Sequence, residues 1–282
     1  MSGKVEISIA IPDSCLLGEQ TLRDKTLKIG QIARASSIFR VGKIYLYQDR
    51  EAKVKDSDRR LIILILRYLD TPQYLRRDMF PRQRELRYAG LLPPIRAPHH
   101  KEWQDMKAVK NGEIRVGVAV RIKDKLFVNV GIDRPVRLEG MAHIGAKLNV
   151  RLKSAYPNLS AVEVDGHDIN FHYWGFLVQE AGSLKALLDR LADGVIVITS
   201  RGGKSLTNVE PQLINELRIK RKILLVFGSP KKGVPQILSD EGYDSNTYRF
   251  IVNMFPNQGT QTVRLEEALL GTLAIINWVL NS

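Results

Sequence analysis

The apolar positions of this chain follow two rhythms, and the change between them shows its organisation. Val5 to Ile11 alternates apolar and polar and stops at Pro12, the pattern of a β-strand. Thr21 to Phe39 recurs at helical spacing, with Thr21 as N-cap and Asp24 at the third helical position. Lys43-Ile44-Tyr45-Leu46-Tyr47 reads as a second strand. Asp58 to Leu69 reads as a second helix, apolar on most sides and ended by Thr71-Pro72. The order β-α-β-α predicts a parallel sheet. Beyond Pro72 the rhythm is lost. Arg76, Arg77, Pro81, Arg82, Arg84, Arg87, Pro93, Pro94, Arg96 and Pro98 crowd a stretch that reads as a connector. A strict alternation follows, with Ile114, Val116, Val118, Val120 and Ile122 on one face and Arg115, Arg121 and Lys123 on the other. Lys123-Asp124-Lys125 turns the chain, and Leu126 to Val130 returns. Lys147 to Leu152 and Ala161 to Val164 add short strands. Closely spaced short strands predict a small β-barrel or sandwich, either an OB-like barrel that binds single-stranded nucleic acid or a structural insert with a solvated basic face.

The α/β rhythm resumes at Phe176-Leu177-Val178. A helix over Ser183 to Leu191 and a strand over Val195 to Ile198 follow. Next come a helix over about Val209 to Lys220, with Pro211 in its first turn, and two apolar strand runs that begin at Ile223 and Arg249. A long helix over about Thr262 to Leu280 closes the pattern; it carries Leu265, Leu269, Leu273, Ile276 and Leu280 on one stripe and Leu270, Ala274, Ile275 and Trp278 elsewhere. A helix apolar nearly all round is buried on two sides, in a deep core or against a second subunit. The segments 1–72 and 173–282 thus build one sheet around a β insert. Three strands exit into small-residue loops: Thr199-Ser200-Arg201-Gly202-Gly203, Gly228-Ser229-Pro230, and Asn253 to Thr260. The carboxyl edge of an open α/β sheet is where ligands bind.

Charge then narrows the function. The 282 residues carry a net charge of +13, which points to a polyanionic partner, foremost RNA. Tyr74, Phe80 and Tyr88 are interleaved with the arginines of the connector. Arginine forks match phosphate and aromatic rings stack on bases, so Arg76, Arg77, Arg82, Arg84, Arg87, Arg115 and Arg121 are candidate RNA contacts. A single cysteine, Cys15, excludes an internal disulfide framework and a cysteine zinc site, and fits a reducing cytoplasm. No apolar leader is evident, and the longest apolar run, Leu61 to Leu66, is too short to span a bilayer. Gly202-Gly203-Lys204-Ser205 is not a phosphate loop, because Ile198 stands where the first glycine is needed. His167 and His172 of the run His167-Asp168-Ile169-Asn170-Phe171-His172 point to opposite faces of a strand and predict no metal site. The pair His99-His100 lies in the basic connector, where it contacts either RNA or nothing.

At the C-terminal loops the chain resembles a known family. The segments Val226-Phe227-Gly228-Ser229-Pro230…Gly233, Pro256-Asn257-Gln258-Gly259-Thr260-Gln261-Thr262-Val263-Arg264 and Glu266-Glu267-Ala268 are similar to the C-terminal half of the SPOUT-class RNA methyltransferases. The closest group is the archaeal and eukaryotic branch with an inserted OB-like domain. The N-terminal strand Ile7 to Ile11, Pro12-Asp13-Ser14 and Gly30-Gln31-Ile32-Ala33-Arg34-Ala35 agree. The resemblance implies a trefoil-knotted α/β domain, 1–90 and 173–282, around an OB-like barrel, 91–172. It implies S-adenosylmethionine as cofactor, a homodimer, and methyl transfer to a base or ribose of rRNA or tRNA. The alternative is a non-catalytic RNA-binding or assembly factor that keeps the fold. By the same resemblance the cofactor is held by Thr199, Ser200, Arg201 and Gly202, by Phe227, Gly228, Ser229 and Gly233, and by Asn253, Met254, Phe255, Pro256, Gln258, Gly259, Thr260, Thr262 and Val263. The resemblance also implies Arg34 as the catalytic residue, expected to face the reacting nucleotide. No metal is implied. The glycines at 202, 228, 233 and 259 are expected to allow close backbone approach and unusual φ.

Overall fold

The computed structural model describes residues 5–154, 156–169 and 173–281. They form two compact units. The first takes the described residues of Met1–Arg67, Arg87–Pro93 and Phe176–Ser282, and the second those of Tyr68–Leu86 and Pro94–Gly175.

The first unit opens with β1 (Glu6–Pro12), α1 (Leu22–Ile38), β2 (Val41–Gln48) and α2 (Asp56–Asp70), whose last turn passes into the second unit. The Thr21 hydroxyl accepts from the Asp24 amide at 3.1 Å and donates to the Asp24 carboxylate at 2.6 Å. One of the orphan amides that begin α1 is satisfied in this way.

In the second unit the arginine-rich connector is not featureless. It holds a one-turn helix, α3 (Arg76–Met79), and three-residue turns. The strands β3 (Ile114–Ile122), β4 (Lys125–Asn129), β5 (Val136–Glu139), β6 (Lys147–Lys153) and β7 (Ser160–Glu163) close into a barrel in the order β3-β4-β5-β7-β6. Lys123 and Asp124 turn the β3–β4 hairpin with φ of 45° and 58°, the geometry whose twist matches the strands. β5 escaped sequence reading because four residues carry too little alternation to stand out.

The β3 alternation has a different meaning from the expected one. Ala119 lies in the barrel core with Val128, Val130, Val150 and Leu152. Gly117 faces the same side, where a Cβ would meet Val128 at 2.4 Å. Val116 and Val118 pack on the outer side against Leu75, Tyr74, Met79 and Trp174. The Tyr74 hydroxyl donates to the Val116 carbonyl at 2.7 Å. β3 is therefore buried on both faces, and part of the connector is the cover of its outer face. Arg115 goes with the inner parity. It is fully buried, its Nη1 donates to the carbonyls of Glu102, Val130 and Gly131, and its Nε donates to Glu113 at 3.0 Å. This corrects the reading of Arg115 as an RNA contact: a buried charge needs inward partners, and this one has them.

The first unit resumes with β8 (Leu177–Ser183), α4 (Leu184–Arg190), β9 (Val195–Ser205), α5 (Leu206–Lys220), β10 (Lys222–Val226), α6 (Val234–Asp240), β11 (Phe250–Asn253) and α7 (Leu265–Asn281). Six strands make one parallel sheet in the order β11-β9-β10-β1-β2-β8. A parallel sheet is buried on both faces, and the unbroken apolar run Ile223-Leu224-Leu225-Val226 is buried throughout. Leu184, Leu187 and Leu188 of α4 and Val234, Ile237 and Leu238 of α6 pack on Tyr45, Tyr47, Leu224 and Val226. Each such side chain contributes about 1.5–3 kcal/mol by leaving water. The Glu241 carboxylate accepts from the first two amides of α4, at 3.1 and 2.8 Å.

β9 is longer than its apolar run. Ile251 of β11 sits opposite Ile198, but the next residue, Val252, sits opposite Lys204. Residues 199–203 bow out of the ladder between those two pairings. The strand re-enters it at Lys204, just past Gly203, where a Cβ would lie 2.7 Å from the backbone of Ile251 and Val252.

Candidate functional site

The bow in β9 places a loop at the carboxyl edge of the sheet. The exits of β10 and β11 lie beside it, and together they line a cleft of about 610 Å³ in the first unit. That is within the range of small-molecule sites. The loops are tied to one another. Thr199 Oγ1 donates to the Val226 carbonyl at 2.8 Å. Asn253 Nδ2 donates to the Arg201 carbonyl at 3.0 Å, and Arg201 Nη1 donates to the Gln261 carbonyl at 3.0 Å. The Asn253 Oδ1 also accepts from the Phe255 amide at 2.9 Å, and Gln258 Nε2 donates to the Thr260 carbonyl at 2.8 Å.

The middle loop is folded on itself. The Ser229 amide donates to the Lys232 carbonyl at 2.8 Å, and the Lys232 amide returns a bond to Ser229 Oγ at 3.0 Å. A Cβ on Gly228 would stand 2.7 Å from that Lys232 carbonyl, so the loop closes only on glycine. The Tyr47 hydroxyl donates to the Phe227 carbonyl at 2.7 Å. Burial raises its pKa well above the ordinary tyrosine value, so the proton stays on the donor. Burial likewise pushes the Cys15 thiol up to about 12. It is a neutral packing group, not a nucleophile.

The cleft gathers Thr199, Ser200, Arg201, Gly202, Phe227, Gly228, Ser229, Gly233, Asn253, Met254, Phe255, Gln258, Thr262 and Val263 from the expected residues. Pro256, Gly259 and Thr260 belong to the third loop but are not among the lining residues. Gly202, Gly228, Gly233 and Gly259 all keep ordinary negative φ, which corrects the expectation of unusual backbone there; the left-handed residue of the third loop is Asn257, with φ of 61°. Lys204-Ser205 pairs with Val252-Asn253 in the ladder and forms no phosphate loop.

The cleft also contains residues that sequence reading missed: Gly18, Glu19, Lys28, Lys231, Lys232, Gln261, Arg264 and Thr272 among them. Lys28 is buried to 6% exposure, with its Nζ 3.2 Å from Glu19 and 3.2 Å from Glu266. The second of these contacts is Coulombic, since its angle does not make a hydrogen bond. The only sequence signal was a lysine next to the apolar positions Ile29 and Ile32 of α1. Thr272 is fully buried, and its hydroxyl has no partner among the described residues.

Arg34 sits half-buried on α1 and is not a lining residue of this cleft. Arg77, Arg82, Arg84, Arg87 and Arg121 are exposed. Arg76 is turned inward: it donates to the Thr71 carbonyl at 3.0 Å and lies 4.5 Å over the Tyr68 ring. His99 is not open to RNA, and His100 is partly exposed. His99 is fully buried, with Nε2 against the Asp70 carbonyl at 2.9 Å and the Asp70 carboxylate at 3.3 Å. His100 meets the carbonyls of Ile95 and Asp70. His172 and the side chain of His167 lie outside the described residues. Among the described residues no three His, Cys, Asp or Glu side chains form a metal-binding group, and no helix is long and apolar enough to cross a membrane.

Fold and site define a class: a parallel α/β protein with helices on its sheet and a nucleotide-sized cleft at the strand exits. Residues 6–276 match the family model described as "Putative RNA methyltransferase". The chain is 30% identical over 284 residues to an uncharacterized protein of Halobacterium salinarum, covering 94% of this chain and 96% of that one. It is 30% identical to the 28S rRNA (uridine-N(3))-methyltransferase of Homo sapiens, covering 96% and 77%. The Drosophila melanogaster protein of the same name is also 30% identical, covering 96% and 61%. The chain belongs to this RNA methyltransferase family, and it is an enzyme.

Proposed function

We propose that this enzyme transfers a methyl group from S-adenosylmethionine to N3 of a uridine in ribosomal RNA, in the cleft at the exits of β9, β10 and β11. The observation that carries the reading is the cleft itself. Its volume of about 610 Å³ suits a nucleoside joined to an amino acid. Gly228 lets the middle loop close against the Lys232 carbonyl, where a Cβ would strike, and so shapes one rim of the cleft. Names of relatives supply the target atom. When bound, the cofactor supplies a methyl group already activated on a sulfonium. The chain's part is to hold, orient and desolvate. The Thr199–Gly202, Phe227–Gly233 and Asn253–Val263 loops would hold the adenosine through their backbone groups. Their mutual hydrogen bonds keep them in place before anything binds, which lowers the ordering cost of binding.

The finer architecture belongs to the same proposal. The sheet would carry the trefoil knot of the SPOUT class. The barrel would be an OB-like insert; its unit takes Tyr68–Leu86 and Pro94–Gly175, in place of the single cut at 91–172. The enzyme would be a homodimer. Leu270, Ala274 and Trp278 recur every fourth residue on α7 and are exposed, Trp278 to 64%. α1 packs beside α7 and exposes Ile38, one turn from Arg34. An exposed apolar stripe of this kind fits a second copy, and Arg34 beside it would reach the partner's cleft. RNA would be held by Arg77, Arg82, Arg84, Arg87 and Arg121. The lone buried Cys15 fits a cytoplasmic setting.

The test is calorimetric titration with S-adenosylmethionine, for wild type and Gly228→Trp. Incubation with transcribed large-subunit rRNA and nucleoside mass spectrometry would follow. Saturable binding abolished in the variant, together with 3-methyluridine in the RNA, is expected. A folded wild type that binds no cofactor would leave the assembly-factor alternative.

A further inference from the structure

Lys28 is the buried cation of the first unit whose position packing does not explain. It stands on α1 where an apolar residue would complete the helix face. Its ammonium is instead held between Glu19 and Glu266, at 3.2 Å from each. An ion pair taken out of water is weak evidence of stabilisation, because desolvation offsets much of the attraction. A buried ion pair that opens onto a cleft is better accounted for by what it can contact there. Three further facts give this cluster a direction. Glu19 and Lys28 line the cleft, whereas Glu266 is not a lining residue. Two carboxylates against one ammonium leave one negative charge over. And Glu19 bonds Lys28 through Oε1, leaving Oε2 without a partner among the described residues. Thr272, one turn beyond Ala268 on the same wall of the cleft, adds a buried hydroxyl with no partner among the described residues. A hydroxyl on a helix commonly settles on the carbonyl four residues back; this one does not, and it remains available to a ligand.

An acceptor beside a donor matches an N–H beside a carbonyl, which is the edge of uracil at N3 and O4. We propose that Glu19 is the proton acceptor for that N3–H, that Lys28 meets the carbonyl oxygen on which negative charge develops, and that Glu266 positions Lys28. The inference rests on the methyltransferase reading above. An imide nitrogen cannot accept a methyl group while it keeps its proton, because its lone pair is delocalised into the flanking carbonyls. The N3 proton passes to the Glu19 carboxylate. The electron pair it leaves forms the bond from N3 to the methyl carbon, and the pair of the broken carbon–sulfur bond stays on sulfur. The carboxylate and sulfonium charges vanish together, so the step balances, and Glu19 then returns its proton to water. A ribose hydroxyl has no adjoining carbonyl and would leave Lys28 without a task. The pair therefore favours a base over ribose.

The experiment uses the full chain with three variants, Glu19→Gln, Lys28→Met and Glu266→Gln. Cofactor affinity is measured by calorimetry. Formation of 3-methyluridine is followed against pH on large-subunit rRNA transcripts, and formation of 5-fluoro-3-methyluridine on transcripts made with 5-fluorouridine, whose N3–H is more acidic. Glu19→Gln is expected to bind S-adenosylmethionine within a few-fold of wild type and to fall about 100-fold or more in rate near neutrality. On the 5-fluorouridine transcript that deficit should shrink, since less help is needed to remove the proton. Lys28→Met should behave alike, and Glu266→Gln should be less impaired. Glu19→Gln lies at the partly exposed end of the cluster, so it remains readable if Lys28→Met does not fold. A Glu19→Gln rate within a few-fold of wild type would overturn the proposal. So would a fall in cofactor binding that matches the fall in rate, which would give the cluster to the cofactor. A wild type that makes no 3-methyluridine would bring down the reading beneath it, and this inference with that reading.

Discussion

Gly203 shows how much one atom decides in this fold. Its missing Cβ lets β9 re-enter the ladder against the backbone of Ile251 and Val252, 2.7 Å from where that atom would stand. Backbone cannot step aside as a flexible side chain can. Gly203→Ala is expected to cost about 1–3 kcal/mol, read as a lower denaturation midpoint at unchanged slope; an unaltered midpoint would show the bow to be loose. His100 provides a second test at this scale. Burial and the neighbouring His99 lower its pKa from 6.5, against the pull of two carbonyls. In the unfolded chain the ring takes a proton near its ordinary value. Its contribution to stability is therefore fully present above about pH 6.5 and is lost as pH falls through the lowered folded value. His100→Gln should flatten stability against pH in that window, and an unchanged slope in thermal melts would refute the assignment.

At the scale of elements, the same apolar residues serve two ends. β3 spends its valines on an outer cover and its small residues on the barrel core. α7 buries Leu265, Leu269, Leu273 and Ile276 and leaves Leu270 and Trp278 in water. Sedimentation should find Leu270→Glu/Trp278→Glu at half the mass of the wild type if α7 joins two copies. Equal masses, both those of a monomer, would remove the homodimer.

Across the whole molecule, the charge of +13 acts through the arginines that remain in water. Replacing Arg82 and Arg84 by Gln should weaken RNA binding on any sequence. It should also lower the slope of log affinity against log salt by about 0.7 for each phosphate of a single strand that is no longer neutralised. Arg115→Gln should do neither; it should destabilise the barrel, where its guanidinium serves three carbonyls. A salt slope changed by Arg115→Gln and not by the exposed pair would reverse this assignment.

The sequence by itself determined the parallel α/β sheet, the β insert and the three loops, because each depends on local signals: period, caps and the glycines and prolines at strand exits. Tyr74 covering β3, the burial of Arg115 and the histidine pair against Asp70 were decided by tertiary structure. So was the cluster of Glu19, Lys28 and Glu266, which joins residues far apart in the chain. A polar residue reads alike in sequence whether water or a buried partner satisfies it. Only the folded chain says which, since desolvation and pairing are set by neighbours that no period encodes.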